Sequence, residues 1–242
     1  DKWTRTEKIG IPTNVIATTV LLIFLFRGSD LGATTTKVSI VNEEGQQIER
    51  VVPKSEFRKK VLVFPMDNES GNISLDWWVH ALPDMLSYDL SQDIYLQIRS
   101  MYSFLESTKE EGYPDLTGVP LTLKKQIAAD RYFDFFTVGQ IIEQDGQPSV
   151  KISLHETRTA KMMAENIFSG KDILNLVDEM AVWFKEALDL PKVHVENSID
   201  MPVSEILTES VPALQHTYAG FYEFIINEDR EEGLRLMEKA VI

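Results

Sequence analysis

An uncharged hydrophobic run stands close to the start of the chain. Ile9–Phe26 contains 18 residues without Asp, Glu, Lys or Arg, preceded by Lys2, Arg5 and Lys8 and followed by Arg27. As a helix it would extend about 27 Å, just enough for a thin bilayer core. We therefore predict a transmembrane helix; a buried core helix and the hydrophobic part of a signal peptide are the alternatives.

Beyond this run, segments with strand-like and helix-like spacing alternate. Val61–Met66 is a short continuous apolar run, typical of a strand buried on both faces. Apolar residues at spacings of three and four predict a helix over Leu75–Ser91, which Pro83 should kink or divide. The other predicted elements are strands at Lys37–Val41, Gln47–Val52, Ile94–Arg99, Phe133–Glu143, Val150–Glu156 and Lys161–Phe168, and helices at Leu121–Tyr132 and from Asp172 to just before Pro191. Their order predicts an α/β sandwich with a mixed sheet.

The last segment has helical periodicity twice. Ser204–Ile226 and Arg230–Ile242 are amphipathic and are separated by a short acidic turn, and Ala219 and Gly220 provide small residues for a close helix contact. This pattern is typical of a tetratricopeptide (TPR) unit, which needs stacked neighbours to bury its apolar face. An ordinary αα-hairpin is the alternative.

Composition and charge exclude several classes of protein. The chain of 242 residues has 24 Lys and Arg against 38 Asp and Glu, a formal charge of −14, and it has no cysteine. The missing cysteines exclude disulfide scaffolds, thiolate metal sites and thiol nucleophiles. The negative charge argues against nucleic-acid contact by this segment, because phosphate binding needs a Lys/Arg surface.

The sequence indicates no catalytic or metal-binding constellation. The four histidines are scattered and no two are four residues apart, and no Gly-x-Ser-x-Gly string occurs. With so many acidic residues, neighbouring carboxylates are expected by chance. We therefore predict no catalytic residue, no metal ligand and no cofactor, so the segment is not an enzyme, although a kinase or cyclase domain upstream in a parent protein stays open.

Four residues are candidates for an interaction surface. Asp67 and Asn68 begin the polar loop that follows the first buried strand and leads into a helix, which is where doubly wound folds place ligands. A plain connecting turn is the alternative. Trp77 and Trp78 are neighbours on that helix, so one points inward and the other is available for a partner or for packing against the sheet edge.

Four strings in the right order resemble one family. VLVFPMDNESGN (Val61–Asn72) is similar to the opening strand and turn of TolB-N-terminal-like domains, and three later strings match the same domain: LDWWVHALPDMLSYDLSQD (Leu75–Asp93), QIAADRYFDFFTVGQ (Gln126–Gln140) and VKISLHETRTAKMMAENI (Val150–Ile167). The resemblance covers about Lys59–Leu190. It implies a TolB-N-terminal-like α/β domain between a transmembrane helix and TPR repeats, as in bacterial membrane-anchored regulators with winged-helix, Ser/Thr kinase or cyclase modules.

These observations predict a modular chain, preceded by one transmembrane helix and ended by a TPR hairpin. The segments are a cytoplasmic stretch (1–8), the transmembrane helix (9–26), a tether with a β-hairpin (27–58), the α/β domain (59–192), a linker (193–203) and the start of TPR repeats (204–242). More positive charge before the helix than after it places the N-terminus in the cytoplasm. The predicted location is the inner membrane, single-pass, with periplasmic C-terminal domains.

Three functional hypotheses follow. The first is a non-catalytic sensory module of a membrane-anchored bacterial regulator, which binds a protein or small-molecule cue. The second is an envelope-assembly or docking component related to Tol–Pal accessory proteins. In both, protein partners contact the α/β domain and the TPR helices, and Ile9–Phe26 contacts the membrane. The third is an enzyme with its site at the Asp67–Asn72 loop.

Overall fold

The computed structural model describes residues 34–41, 45–99, 101–198 and 200–241, and the chain divides into two compact units between Phe57 and Arg58. In the first unit, strand β1 (Thr35–Val41) pairs antiparallel with β2 (Gln47–Pro53). The two strands predicted there are thus present, each slightly longer than expected. A 3₁₀ turn, Ser55–Phe57, follows them.

The second unit is built on one mixed sheet. Its strands are β3 (Lys59–Leu62), β4 (Met66–Asn68), β5 (Leu96–Arg99), β6 (Phe135–Gln144), β7 (Gln147–Glu156) and β8 (Met162–Ser169). The order is β5-β3-β6-β7-β8, and β4 pairs with β6 beyond the end of β3. The pairs of β3 with β5 and β6, and of β4 with β6, are parallel, whereas β6, β7 and β8 form an antiparallel meander. The predicted mixed sheet is confirmed.

Eight α-helices are described around this sheet and after it. They are α1 (Trp78–Leu90), α2 (Leu105–Glu110), α3 (Leu121–Asp130), α4 (Ile173–Ala187), α5 (Lys192–Asn197), α6 (Val203–Ile206), α7 (Val211–Phe221) and α8 (Arg230–Lys239). The Asp172 carboxylate caps α4 by accepting hydrogen bonds from the backbone N–H groups of Leu174 and Asn175.

Two hydrophobic clusters lie on opposite sides of β3, because successive strand residues point to opposite faces. Val61 belongs to the larger cluster, which contains the apolar faces of α1 and α4. Leu62 belongs to the smaller one, with Ile127 and Ala128 of α3. The central strand is therefore buried on both faces, as its continuous apolar run predicts.

The predicted single strand Val61–Met66 is wrong in one respect, since it forms two strands. Residues 63–65 separate β3 from β4. Pro65 has no N–H to give to a sheet, which explains why the pairing is interrupted there. The N–H of Phe64 donates instead to the Thr137 hydroxyl, 3.1 Å away. After this break the chain pairs with β6 again as β4, which ends at Asn68, and the loop toward α1 follows.

Helix α1 begins later than predicted and is not divided. A 3₁₀ turn, Ile73–Leu75, precedes it, and the Asn72 side chain accepts the Ser74 N–H at that turn. Pro83 lies inside the continuous helix. Twelve of its thirteen residues are buried, which indicates that tertiary packing overrides the cost of the proline.

The C-terminal segment contains more elements than the two predicted helices. Ser204–Ile226 forms most of α6, then α7, then a five-residue π-helical turn, Tyr222–Ile226. The axes of α7 and α8 approach closely because Gly220 and Gly233 face each other: a Cβ on Gly220 would lie 2.8 Å from the Gly233 carbonyl oxygen. The close contact predicted at Gly220 is therefore present.

The predicted fold class is wrong in its membrane-spanning part. Within the described ranges no helix is both long and apolar enough to cross a membrane. The longest of them, α4, has 15 residues, whereas a span needs about 20. The segment assigned to the membrane, Ile9–Phe26, lies outside the described residues. The fold class is thus corrected to a mixed α/β fold, and the same finding overturns the predicted single-pass location in the inner membrane.

Candidate functional site

An open pocket of about 630 Å³ lies where the parallel strand β4 ends. Strand β3 has β5 on one side and β6 on the other, and β4 continues alongside β6. The loop after β4 therefore lies at a switch point of the sheet. The pocket, called the acidic pocket below, is formed by the end of β4, the start of α1, the loop around residues 115–118 and the helical segment 218–223.

Asp67 and Asn68, two of the predicted interaction residues, hold the first wall together. The Asp67 carboxylate accepts a hydrogen bond from the backbone N–H of Gly118, at 2.7 Å. The Asn68 amide donates to the carboxylate of Asp76, at 2.6 Å, and its oxygen accepts from Ser70. These contacts fix the loops on either side of the pocket in place.

The two tryptophans have different positions. Trp78 is buried in the larger hydrophobic cluster. Trp77 is half-buried and lines the acidic pocket. Their rings meet edge to face with centroids 6.4 Å apart, so the core anchors the ring that faces the pocket.

The opposite wall comes from α7 and the π-helical turn. Tyr218, Tyr222 and Glu223 line the pocket from this side. The Tyr218 hydroxyl donates to the Asp84 carboxylate on α1, at 3.1 Å. This buried bond connects the C-terminal helices to the α/β sandwich and holds the second wall against the first.

His80 is the most unusual residue of the pocket. Its side chain is 5% exposed, and burial lowers its pKa from 6.5 to about 4, against the opposing effect of Asp115. The imidazole is therefore neutral at pH 7. Its ring lies between Tyr102 and Tyr222, with centroids 6.5 and 5.3 Å away. Among the described residues, its buried Nδ1 has no hydrogen-bond partner.

Asp84 shows the opposite effect one helical turn further along α1. Burial raises the pKa of its carboxyl from 3.8 to about 6, and the hydrogen bond from Tyr218 opposes this rise only in part. Burial, with the nearby Asp84 charge, also raises the pKa of the Tyr218 hydroxyl far above its usual range. The phenol is thus a hydrogen-bond donor at every ordinary pH.

The pocket carries an excess of negative charge. Four carboxylates line it, and no Lys or Arg is among the described residues that do so: Asp67, Asp76, Asp115 and Glu223. Burial lowers the pKa of Lys124, and the nearby charge of Asp67 opposes this effect only in part. The other three carboxylates have no ion pair in the part of the chain that the structure describes.

The structure thus brings Asp67, Asn68 and Trp77 together at the pocket, whereas the side chain of Trp78 lies in the core behind Trp77. Sequence analysis missed the other pocket residues, above all His80. One signal for it was available: His80 and Asp84 lie four residues apart, and so on one face, of a helix with mostly apolar residues. Polar residues at such a spacing are uncommon on a buried helix face and indicate a polar contact.

Within the described ranges, no group of three or more His, Asp or Glu side chains is placed to hold a metal ion. That the chain binds no metal, needs no cofactor and has no catalytic residue stays a prediction.

No model of a known protein family and no curated protein matches the chain. Among solved structures, the LpoB C-terminal domain from Escherichia coli has a TM-score of 0.41 at 12% identity, over 63% of this chain and 94% of that one. TolB from Acinetobacter baumannii has a TM-score of 0.37 at 10% identity, over 64% of this chain and 31% of that one. Lipoprotein GNA1162 from Neisseria meningitidis has a TM-score of 0.36 at 18% identity, over 54% and 97%.

In the structure α7 and α8 form a helical hairpin, and that they begin a TPR array stays a prediction. TM-scores from 0.36 to 0.41 are too low to carry an argument about function.

Proposed function

We propose that the second unit is a non-catalytic docking module that binds a protein partner at the acidic pocket, as a component of the bacterial envelope. This is the second of the three hypotheses that the sequence supports. The observation that carries it is the pocket itself: about 630 Å³, open to solvent and lined by both aromatic and charged side chains. Pockets of this size and lining are typical of binding sites.

The contacts around the pocket favour docking over a sensory role. Asp67 ties one wall to Gly118, and Tyr218 ties the other wall to Asp84 through a buried hydrogen bond. A site held by such bonds is preorganised, so a partner loses little affinity to rearrangement. A sensory role would instead need an element with two conformations whose relative populations change when the cue binds. The envelope setting rests on the resemblance of the sequence to TolB-N-terminal-like domains.

Site-specific photo-crosslinking tests this function. The full chain with benzoylphenylalanine in place of Trp77 keeps an aromatic ring at the pocket, and irradiation in the producing cells should give one discrete protein adduct. The matched control carries the same group in place of Val182, an exposed residue of α4 outside the pocket. Equal adducts from both positions, or none from the Trp77 position in a folded chain, would contradict docking at the pocket.

A further inference from the structure

Three features of the acidic pocket point to the chemistry of what it binds. The first is charge. Asp76, Asp115 and Glu223 line the pocket without an ion pair among the described residues. Carboxylates that surround one concave space raise its negative potential, which attracts a cation and repels an anion. A neutral ligand would leave this repulsion between the carboxylates uncompensated.

The second feature is the unused Nδ1 atom of His80. A buried polar atom without a partner costs free energy, because it has lost its hydrogen bonds to water, so such atoms are rare in folded proteins and need an explanation. His80 lines the pocket, and its side chain is 5% exposed. Nδ1 itself has almost no accessible surface, so a ligand reaches it only when the His80 ring turns toward the pocket, and a hydrogen bond donated to it there would remove this cost.

The third feature is the pair of aromatic side chains on opposite walls. Trp77 lies at the start of α1, and Tyr222 lies at the start of the π-helical turn. Both are half-buried, so each keeps part of its ring toward the pocket. Aromatic faces attract ammonium and guanidinium groups and also cover the apolar carbon chain that carries them.

We propose that the acidic pocket binds the cationic end of a lysine or arginine side chain that a partner protein presents. Asp76, Asp115 and Glu223 are the counter-ions, and His80 Nδ1 accepts one hydrogen bond from the bound group. This inference rests on the proposed docking function and names the chemistry of the partner.

The state of His80 fits this role. Its pKa of about 4 keeps the imidazole neutral at pH 7, so a second positive charge does not compete with the ligand. A neutral imidazole with its proton on Nε2 has an acceptor at Nδ1, and ammonium and guanidinium groups offer only donors. The volume of about 630 Å³ exceeds what one side chain fills, which leaves room for the backbone on either side of it.

Peptide binding to the full chain tests the inference. Three short peptides are compared, identical except for a central arginine, lysine or norleucine, and the ring signals of Trp77 and His80 are followed by NMR. The arginine and lysine peptides should shift these signals, and the norleucine peptide should not. Binding should weaken at high salt, because an ion pair at a partly open site is screened.

Matched charge variants assign the effect to the pocket. The double variant Asp115→Asn, Glu223→Gln should weaken binding of the arginine peptide about tenfold or more, because it removes two of the three proposed counter-ions and the charge-assisted hydrogen bonds that they accept. Glu231→Gln removes the same type of charge from an exposed residue of α8 outside the pocket and should leave binding unchanged. His80→Phe keeps a buried ring, removes the acceptor and should also weaken binding.

The outcomes separate the two proposals. If the norleucine peptide binds as well as the arginine peptide, or if the double variant binds normally, the inference about cations is wrong, even where crosslinking at Trp77 identifies a partner. Free propylamine serves as a further probe: if it binds and the basic peptides do not, the site takes small amines and presentation by a protein is ruled out. Crosslinking that fails while the basic peptides bind contradicts the docking function alone.

Discussion

At the scale of single residues, Asp84 opposes folding at neutral pH. Its carboxyl has a pKa of about 6 in the folded chain against 3.8 as its ordinary value. Because the folded value is the higher one, the stability that comes from proton uptake is complete below pH 3.8 and is lost as the pH rises through 6. Above that range the chain buries a charge that Tyr218 stabilises with one hydrogen bond.

Asp84→Asn should therefore stabilise the protein at about pH 8, by at most about 3 kcal/mol, and should change little at about pH 4. The amide oxygen can still accept the hydrogen bond from Tyr218. Urea unfolding at both pH values measures the difference. Asp130→Asn, an exposed position at the end of α3, is the matched control and should have no such pH dependence. Equal destabilisation at both pH values would refute the burial argument.

At this scale, the residues of the acidic pocket show which positions and contacts the local sequence pattern predicts and which it does not. Asp67 and Asn68 were predicted to begin the loop after a buried strand, whereas the structure places both at the end of β4, Met66–Asn68. The partners of Asn68, Ser70 and Asp76, are close in the sequence, whereas Gly118, the partner of Asp67, lies 51 positions away along the chain. Tyr218 lies 134 positions from Asp84. Such contacts depend on how elements pack, which the spacing of apolar residues does not encode.

At the scale of elements, the glycine contact between α7 and α8 sets the position of the second pocket wall. A Cβ added to Gly220 would lie 2.6 Å from the Met237 Cγ and 2.8 Å from the Gly233 carbonyl oxygen. The methionine side chain can move aside, but the backbone of α8 must shift as a whole. The helix that carries Tyr218 therefore depends on a residue without a side chain.

Gly220→Ala should lower the free energy of unfolding by about 1–3 kcal/mol, the usual cost of overpacking, despite the better helix propensity of alanine. Thermal unfolding measures it. Gly170→Ala is the control, because a Cβ there would meet only the tip of Leu176, at 3.5 Å. A Gly220→Ala variant as stable as the control would show that α7 and α8 can move apart freely.

Boundaries of the predicted elements moved where tertiary packing or hydrogen bonding competes with periodicity. The strand at Val61–Met66 stops at Pro65 and resumes, because proline cannot donate to a sheet. The helix at Leu75–Ser91 passes through Pro83 undivided, because the surrounding core holds it. The π-helical turn at Tyr222–Ile226 has no counterpart in the apolar spacing, yet it places Tyr222 and Glu223 at the pocket.

At the scale of the whole molecule, the order of the longer strands and helices was predictable, because each type has its own hydrophobic period, whereas the short helices α2, α5 and α6 were not predicted as elements of their own. The mixed sheet followed from that order. The transmembrane helix in the predicted fold class was wrong, because no described helix is long and apolar enough to cross a membrane. A run without charged residues shows only that a segment is apolar. That property alone does not distinguish a segment made for a bilayer from one made for a protein core.

Three buried groups determine how stability depends on pH. Burial, with Asp200 as the next cause, raises the pKa of Asp89 from 3.8 to about 7, and burial raises that of Asp84 to about 6. Between about pH 4 and 6 the folded chain therefore holds up to two protons that the unfolded chain has lost. His80 acts in the other direction, since its pKa falls from 6.5 to about 4 and the unfolded chain takes up its proton first.

The net difference is about one proton in favour of the folded chain, so the free energy of unfolding should rise by roughly 1 kcal/mol per pH unit as the pH falls from about 7 to 5. Urea unfolding of the full chain across this range measures the slope. The double variant Asp84→Asn, Asp89→Asn removes both raised carboxyls and leaves His80, so its stability should fall with the pH instead. A wild-type chain that loses stability on acidification over this range would show that the two carboxyls are ionised in the folded state and hydrated more fully than their burial indicates.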